Sequence, residues 1–293
     1  MKKMLVAAVA AMAVAMGACA LVGCAGSTTA ASSADGAASA GASAASGASA
    51  ADKPTLTVAM ELAYPPFETK DDAGNPTGIA VDFMQDFADE YGYDLVVENT
   101  AWDGLIPSLQ TGKADCVISS MTITDERAEV VDFTDPYAMA QLAILASAPA
   151  NIEKAEDLNQ PGRKVAVKTG STGDVYATKN FDQAEIVRLA DESACVTEVV
   201  QGKADGFLYD QLTIYRNNLA NPDTTTAVFI PFQDPEAWGI AVKKGDTELL
   251  EQLNQFIAQS KEDGEFDRLT EKYLAEEKQA FDEHNFKWFF DFE

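Results

Sequence analysis

From about residue 54 onward the chain moves between two hydrophobic periods. Leu56-Thr57-Val58-Ala59-Met60 reads as a strand and is followed by a proline-containing loop. Ile79, Phe83, Phe87 and Tyr91 then recur at four-residue steps, with Met84 and Ala88 beside them. That spacing is the apolar stripe of a helix buried along one face. Leu249, Leu253, Phe256 and Ile257 mark a second such helix near the end. The short apolar runs Cys116-Val117-Ile118 and Val165-Ala166-Val167 predict strands covered on both faces. Alternation of this kind predicts an α/β fold, a parallel or mixed sheet with helices on both sides. The folded part, about 54–278, is long for one such sheet and comfortable for two lobes.

An internal echo supports two lobes. Gly112-Lys113-Ala114-Asp115 follows a helix pattern ending at Gln110, and Gly202-Lys203-Ala204-Asp205 follows one ending at Gln201. A short apolar strand succeeds each copy, and beyond it stands a polar side chain, Ser120 in the first and Asp210 in the second. Ligands of open α/β sheets bind off the carboxyl ends of the strands. Two such ends facing each other make a cleft.

The segment before the folded part changes the compartment. Residues 1–23 carry Lys2 and Lys3, an apolar Ala/Val/Met stretch and no acidic residue, the pattern of a secretory signal peptide. No segment after it reaches the roughly 18–20 apolar residues of a spanning helix. Residues 24–53 are almost wholly Ala, Ser, Gly and Thr after Cys24, and predict a flexible tether of roughly 30 Å root-mean-square span. The formal charge of −26, with 47 acidic against 21 basic side chains, argues against a nucleic-acid partner. Of the four cysteines, Cys116 and Cys195 lie in apolar surroundings and read as small buried side chains.

Three further stretches identify a family. Trp102-Asp103-Gly104-Leu105-Ile106-Pro107-Ser108-Leu109, Ile118-Ser119-Ser120-Met121-Thr122-Ile123-Thr124-Asp125-Glu126-Arg127 and Val131-Asp132-Phe133-Thr134-Asp135-Pro136-Tyr137 resemble the polar amino-acid solute-binding proteins of ABC transporters. Tyr64-Pro65-Pro66-Phe67-Glu68 and Trp238-Gly239-Ile240-Ala241-Val242 fit the same family. The resemblance covers about 55–275. It implies a two-lobed periplasmic-binding-protein-like (Venus-flytrap) fold with two hinge strands, the chain crossing near 143–147 and returning near 234–237. Lobe 1 is then discontinuous, 54–145 and 235–278, and lobe 2 is 146–234. Leu21-Val22-Gly23-Cys24 resembles the lipobox of bacterial lipoproteins, which makes Cys24 the lipidated first residue on the extracytoplasmic face of the cell membrane.

A free amino acid brings a carboxylate and an ammonium into a desolvated cleft, and each needs a charged partner. By spacing alone, Arg127 is as well explained by a surface pair with Asp125 or Glu126. At this place in the motif, the resemblance makes its planar fork the carboxylate clamp. Asp210 is expected to face the ammonium, aided by Ser119, Ser120 and Thr122; it also reads as the N-cap of a helix beginning at Gln211, and both roles hold together. Gly170-Ser171-Thr172-Gly173, between a strand and a helix, offers backbone N–H groups to an anion from the second lobe, with Ser171 and Thr172 as contacts. Tyr64 and Trp102 are aromatic walls or core. Glu61 and Lys168 match family positions that touch the ligand side chain, one from each lobe. An acid and a lysine together suit a glutamine-like side chain, or they pair with each other around a small neutral one.

The resemblance implies a monomer that delivers its ligand to the membrane permease subunits of an ABC importer, with no metal or cofactor. Two other classes stand beside it, a lyase or dehydratase of the same fold and a ligand sensor for a signalling partner. Catalysis needs a poised acid, base or nucleophile. The single histidine, His284, lies in an acidic aromatic tail, 279–293, that runs past the resemblance and is expected to pack on the first lobe.

Overall fold

The computed structural model describes residues 53–284, without the side chain of His284, and residues 286–291. The signal segment, Cys24 and the tether up to residue 52 lie outside the described residues.

Two five-stranded sheets organise the fold, one per lobe. In the first, the order is Asp94–Asn99, Thr55–Met60, Cys116–Val117, Ala241–Lys243 and Val131–Phe133. Its first three strands are parallel, and Ala241–Lys243 runs antiparallel to both neighbours. The second sheet repeats the plan with Glu185–Leu189, Lys164–Lys168, Gly206–Asp210, Leu142–Ser147 and Thr225–Val228. There Leu142–Ser147 is the antiparallel strand.

The Gly-Lys-Ala-Asp echo has one geometry in both sheets. Gly112 (φ 72°) and Gly202 (φ 68°) turn the chain out of their helices in the left-handed region. Asp115 then donates its N–H to Thr57 O at 2.8 Å and accepts Thr57 N–H on Oδ2 at 2.7 Å. Asp205 does the same with Lys164, at 2.7 and 2.8 Å. A carboxylate that caps the neighbouring strand while its own backbone joins the ladder explains why the motif recurs at one place in each lobe.

Helices cover the sheets with the predicted stripes. Ile79–Tyr91 buries Ile79, Phe83, Met84, Phe87 and Ala88, leaving Tyr91 half-buried. Thr247–Asp263 buries Leu249, Leu253, Phe256 and Ile257. Gly78 precedes the first of these at φ 122°, and a Cβ there would come within 2.5 Å of Phe67 O, so the entry into that helix demands glycine. Cys116 and Cys195 are free and buried, in separate clusters of core side chains. Among the described residues no helix is long and apolar enough to cross a membrane.

Two short strands, Ala138–Ala140 and Glu236–Trp238, pair antiparallel where the chain passes between the sheets. The outward crossing therefore precedes the 143–147 segment expected from the resemblance. Every residue of Leu142–Ser147 is buried, and the strand is hydrogen-bonded on both edges. A strand so placed, apolar except for Ser147, belongs to the interior of the second sheet.

The C-terminal segment reaches further than the first lobe. After the helix Ala275–His284, Phe289 sits 5.1 Å from Phe67 and 5.3 Å from Trp238, ring centre to ring centre, and its carbonyl accepts Met139 N–H at 2.7 Å. Gln211 Nε2 donates to Lys287 O at 2.7 Å, and the Phe229 and Phe286 rings lie 4.5 Å apart. The tail thus contacts first-lobe side chains, both crossing strands and the second lobe together.

Candidate ligand-binding cleft

The carboxyl ends of the two sheets converge on one cavity, the kind of place where open α/β sheets bind ligands. Glu61 follows the strand Thr55–Met60, and Ser119 and Ser120 follow Cys116–Val117. From the second lobe come Lys168 and Asp210, each the last residue of its strand, with Ser171 and Thr172 at the head of the helix Thr172–Asn180. Tyr64, Trp102, Thr122 and Arg127 complete the set read from the sequence, and all of these side chains line this one cavity.

Arg127 belongs to the short helix Asp125–Ala128, whose cap Thr124 accepts the Arg127 N–H at 3.2 Å. Its guanidinium lies over the Trp102 ring at 5.3 Å. Nη1 donates to Thr122 O at 2.6 Å, and Nη2 crosses to Gly170 O of the other lobe at 3.1 Å. The arginine therefore faces the cleft, and its bonded partners are carbonyls rather than Asp125 or Glu126. Burial pulls its pKa down, opposed by Glu236 and Glu126; a guanidinium keeps its charge in this range.

Asp210 does two things at once. Oδ1 caps the helix Gln211–Ala220 by accepting Leu212 N–H at 2.9 Å and Thr213 N–H at 3.1 Å. Oδ2 is buried and has no hydrogen-bond partner, and the same is true of the Tyr64 hydroxyl. Burial pushes the Asp210 carboxyl up, while the nearby Tyr64 hydroxyl and the cap N–H groups favour its ionised form. A buried carboxylate oxygen with only the Tyr64 hydroxyl close by, and no bond of good geometry to it, is a place prepared for a further donor.

Glu61 and Lys168 form an ion pair across the lobes, with side chains 13 % and 5 % exposed. Trp102 N–H donates to Glu61 Oε1 at 3.3 Å, and the Lys168 ammonium stands 5.1 Å from the Trp102 ring centre. The two residues meet each other, which was one of the two readings the sequence left open.

The loop 170–173, expected to receive an anion, is partly committed. Ser171 Oγ accepts Asp174 N–H at 3.2 Å as the helix cap, and Gly170 N–H donates to Asp174 Oδ2 at 3.0 Å. Gly173 packs so closely on the second sheet that a Cβ would lie 2.4 Å from Leu208 O, which seats the head of this helix at the cavity. Thr172 Oγ1 donates to Glu236.

Sequence reasoning missed Glu68, Leu142, Tyr209, Glu236 and Trp238, which also line the cavity. Glu68 is 1 % exposed and accepts from Ser119 Oγ at 3.4 Å and Ser120 Oγ at 3.2 Å; burial holds its carboxyl well above the usual range. Its signal was present in Tyr64-Pro65-Pro66-Phe67-Glu68. Glu236 lies two residues before the Trp238 stretch, where only the crossing of the chain brings it to the site. Among the described residues no cluster of His, Cys, Asp and Glu is placed to hold a metal.

Residues 56–276 match the family described as bacterial extracellular solute-binding proteins, family 3. The L-arginine-binding protein of Pseudomonas aeruginosa is 34% identical over 239 residues, covering 77% of this chain and 89% of that one. The ABC transporter glutamine-binding protein GlnH of Bacillus subtilis is 31% identical over 173 residues, covering 59% and 62%. Among solved structures, an ancestral amino acid-binding protein that is a precursor of cyclohexadienyl dehydratase superposes with a TM-score of 0.69 at 39% identity, covering 75% of this chain and 94% of that one. With two mirrored α/β lobes around a charged cleft and a match over most of its folded length, the chain belongs to the bacterial extracellular solute-binding proteins of family 3.

Proposed function

We propose that this protein is the lipid-anchored binding component of an ABC importer, and that it takes a glutamine-like amino acid between its lobes. The observation that carries the ligand class is the buried, unpartnered Oδ2 of Asp210 in the same cavity as the Arg127 fork. An α-ammonium satisfies the first and an α-carboxylate the second, so a zwitterion leaves neither charge uncompensated.

The side-chain preference rests on Glu61 and Lys168. Already paired, they present no net charge to the ligand. A cationic side chain would have to displace Lys168, and an acidic one would meet Glu61. A carboxamide donates to the carboxylate and accepts from the ammonium without disturbing the pair's balance, and a small neutral side chain is the second reading that this pairing favours. Contacts from both lobes are complete only when the cleft is closed, so the ligand favours the closed form by its differential affinity. That closed form is the shape offered to the permease. Cys24 would carry the lipid, and the Ala/Ser/Gly tether would let the folded part reach its neighbour.

A thermal-shift screen of the intact protein against the standard amino acids tests this reading, because a ligand of the native state raises the melting temperature by mass action. Glutamine is expected to give the largest shift and to be recovered chemically unchanged. A larger shift with arginine or lysine would overturn the side-chain assignment. Conversion of the ligand would favour an enzyme, and no shift from any amino acid would remove the ligand class.

A further inference from the structure

Glu236 stands where the chain returns from the second lobe to the first, and its carboxylate touches both. Oε2 accepts from Thr122 Oγ1 of the first lobe at 2.9 Å and from Thr172 Oγ1 of the second at 2.7 Å. Oε1 accepts from Gln233 Nε2 at 2.5 Å. All three donors are neutral. The cation acting on this carboxylate is Arg127, which also feels Glu126 and Tyr209. Two nitrogens of that guanidinium already serve the Thr122 and Gly170 carbonyls. The crossing strand opposite, Ala138–Ala140, offers no titratable side chain. The other cation of the cavity, Lys168, is paired with Glu61.

A ligand carboxylate drawn to Arg127 therefore enters a cavity where Glu236 already stands, held by three neutral donors and, among the described residues, by no ion pair. Two carboxylates brought near one cation in a half-buried site cannot both remain ionised without a penalty. Asp210 does not relieve this, because its open oxygen serves the ammonium. We propose that binding of the amino acid takes up a proton from bulk solvent at the carboxylate of Glu236, so that a neutral Glu236 and the ligand carboxylate share Arg127. Protonation turns one Glu236 oxygen from acceptor to donor and frees a threonine hydroxyl to turn toward the ligand. The burial that already pushes the Glu236 carboxyl up acts in the same direction. This inference rests on the amino-acid reading of the cleft.

The sign follows from linkage. A proton taken up on binding makes affinity fall as pH rises, by up to about tenfold per pH unit between the Glu236 pKa of the free and of the bound protein. The test is calorimetric titration of the intact protein with glutamine at one pH in phosphate and in Tris, whose heats of ionisation differ. Proton uptake makes the observed heat differ between the buffers. Glu236→Gln keeps the size and the acceptor oxygen, and should bind with a heat independent of buffer and an affinity flat in pH. Thr172→Val removes one donor from the carboxylate without altering a charged side chain, and should move the pH of greatest uptake upward. Equal heats in the two buffers for the parent protein would overturn the proposal while leaving amino-acid binding intact. Buffer dependence that survives in Glu236→Gln would also overturn it, moving the proton to another carboxyl such as the buried Glu68 or the half-buried Glu192. No heat from glutamine or any other amino acid would overturn the functional reading, and this inference with it.

Discussion

Asp210 divides its carboxylate between fold and cavity, so its substitutions separate the two roles. Asp210→Asn retains an oxygen for the Leu212 and Thr213 N–H groups and removes the charge facing the ligand. It should fold with nearly the parent stability yet lose about 2–5 kcal/mol of affinity, the range for truncating one partner of a buried charge pair; calorimetry beside chemical denaturation reads both. Asp210→Ala should cost about 1 kcal/mol of stability in addition, from the lost cap.

Buried and half-buried carboxyls also predict the pH dependence of the ligand-free protein. Glu192 is pushed up to about 8, first by burial and then by Asp210, and Glu68 is raised mainly by burial. A carboxyl whose folded pKa lies above its unfolded value binds more protons in the native state, so stability falls as pH rises between the two. For Glu192 that window runs from its ordinary 4.5 to about 8. Denaturation midpoints should therefore decline from pH 5 to pH 8, and Glu192→Gln should flatten the decline; a midpoint that rises over this range would contradict the assignment.

At this scale, the cavity side chains legible in the sequence were those inside contiguous motifs, such as Thr122 and Arg127. Glu236 was not, because what brings it to Thr122 is a long-range pairing of Thr122 with Trp238, and no local pattern encodes a partner that distant along the chain.

Among the elements, the helix stripes were plain from periodicity, since a period reports burial on one face directly; the Gly-Lys-Ala-Asp echo was plain as a repeat, but the capping of a neighbouring strand by its Asp was not. The crossing was not. Ala138–Ala140 and Leu142–Ser147 are both apolar except for Ser147, and only hydrogen bonding separates a connecting strand from a central one. The tail was legible as aromatic but not as a bridge. Phe289 is fully buried between Phe67 and Trp238, with its carbonyl on a crossing strand. Phe289→Ala should destabilise the fold by about 3–5 kcal/mol, the usual cost of emptying a buried phenylalanine site, measured as a lower denaturation midpoint. A surface-like loss below about 0.5 kcal/mol would show that the tail is not part of the core.

For the whole molecule, the two mirrored sheets joined by paired strands make hinge closure the expected response to ligand. In the proposed binding mode each lobe supplies one charge to the ligand, Arg127 from the first and Asp210 from the second. Small-angle scattering should accordingly show a smaller radius of gyration with ligand than without, and Asp210→Asn should lose most of that contraction at the same ligand concentration. The most direct test of binding between these charges is calorimetric titration of glutamine into the intact protein with Asp210→Asn in parallel. Saturable one-to-one heat in the parent, weakened roughly thirtyfold or more in the variant, is the predicted result. Equal affinity in the two proteins would contradict the assignment of Asp210 to the ligand ammonium, and with it the orientation of the amino acid in the cleft.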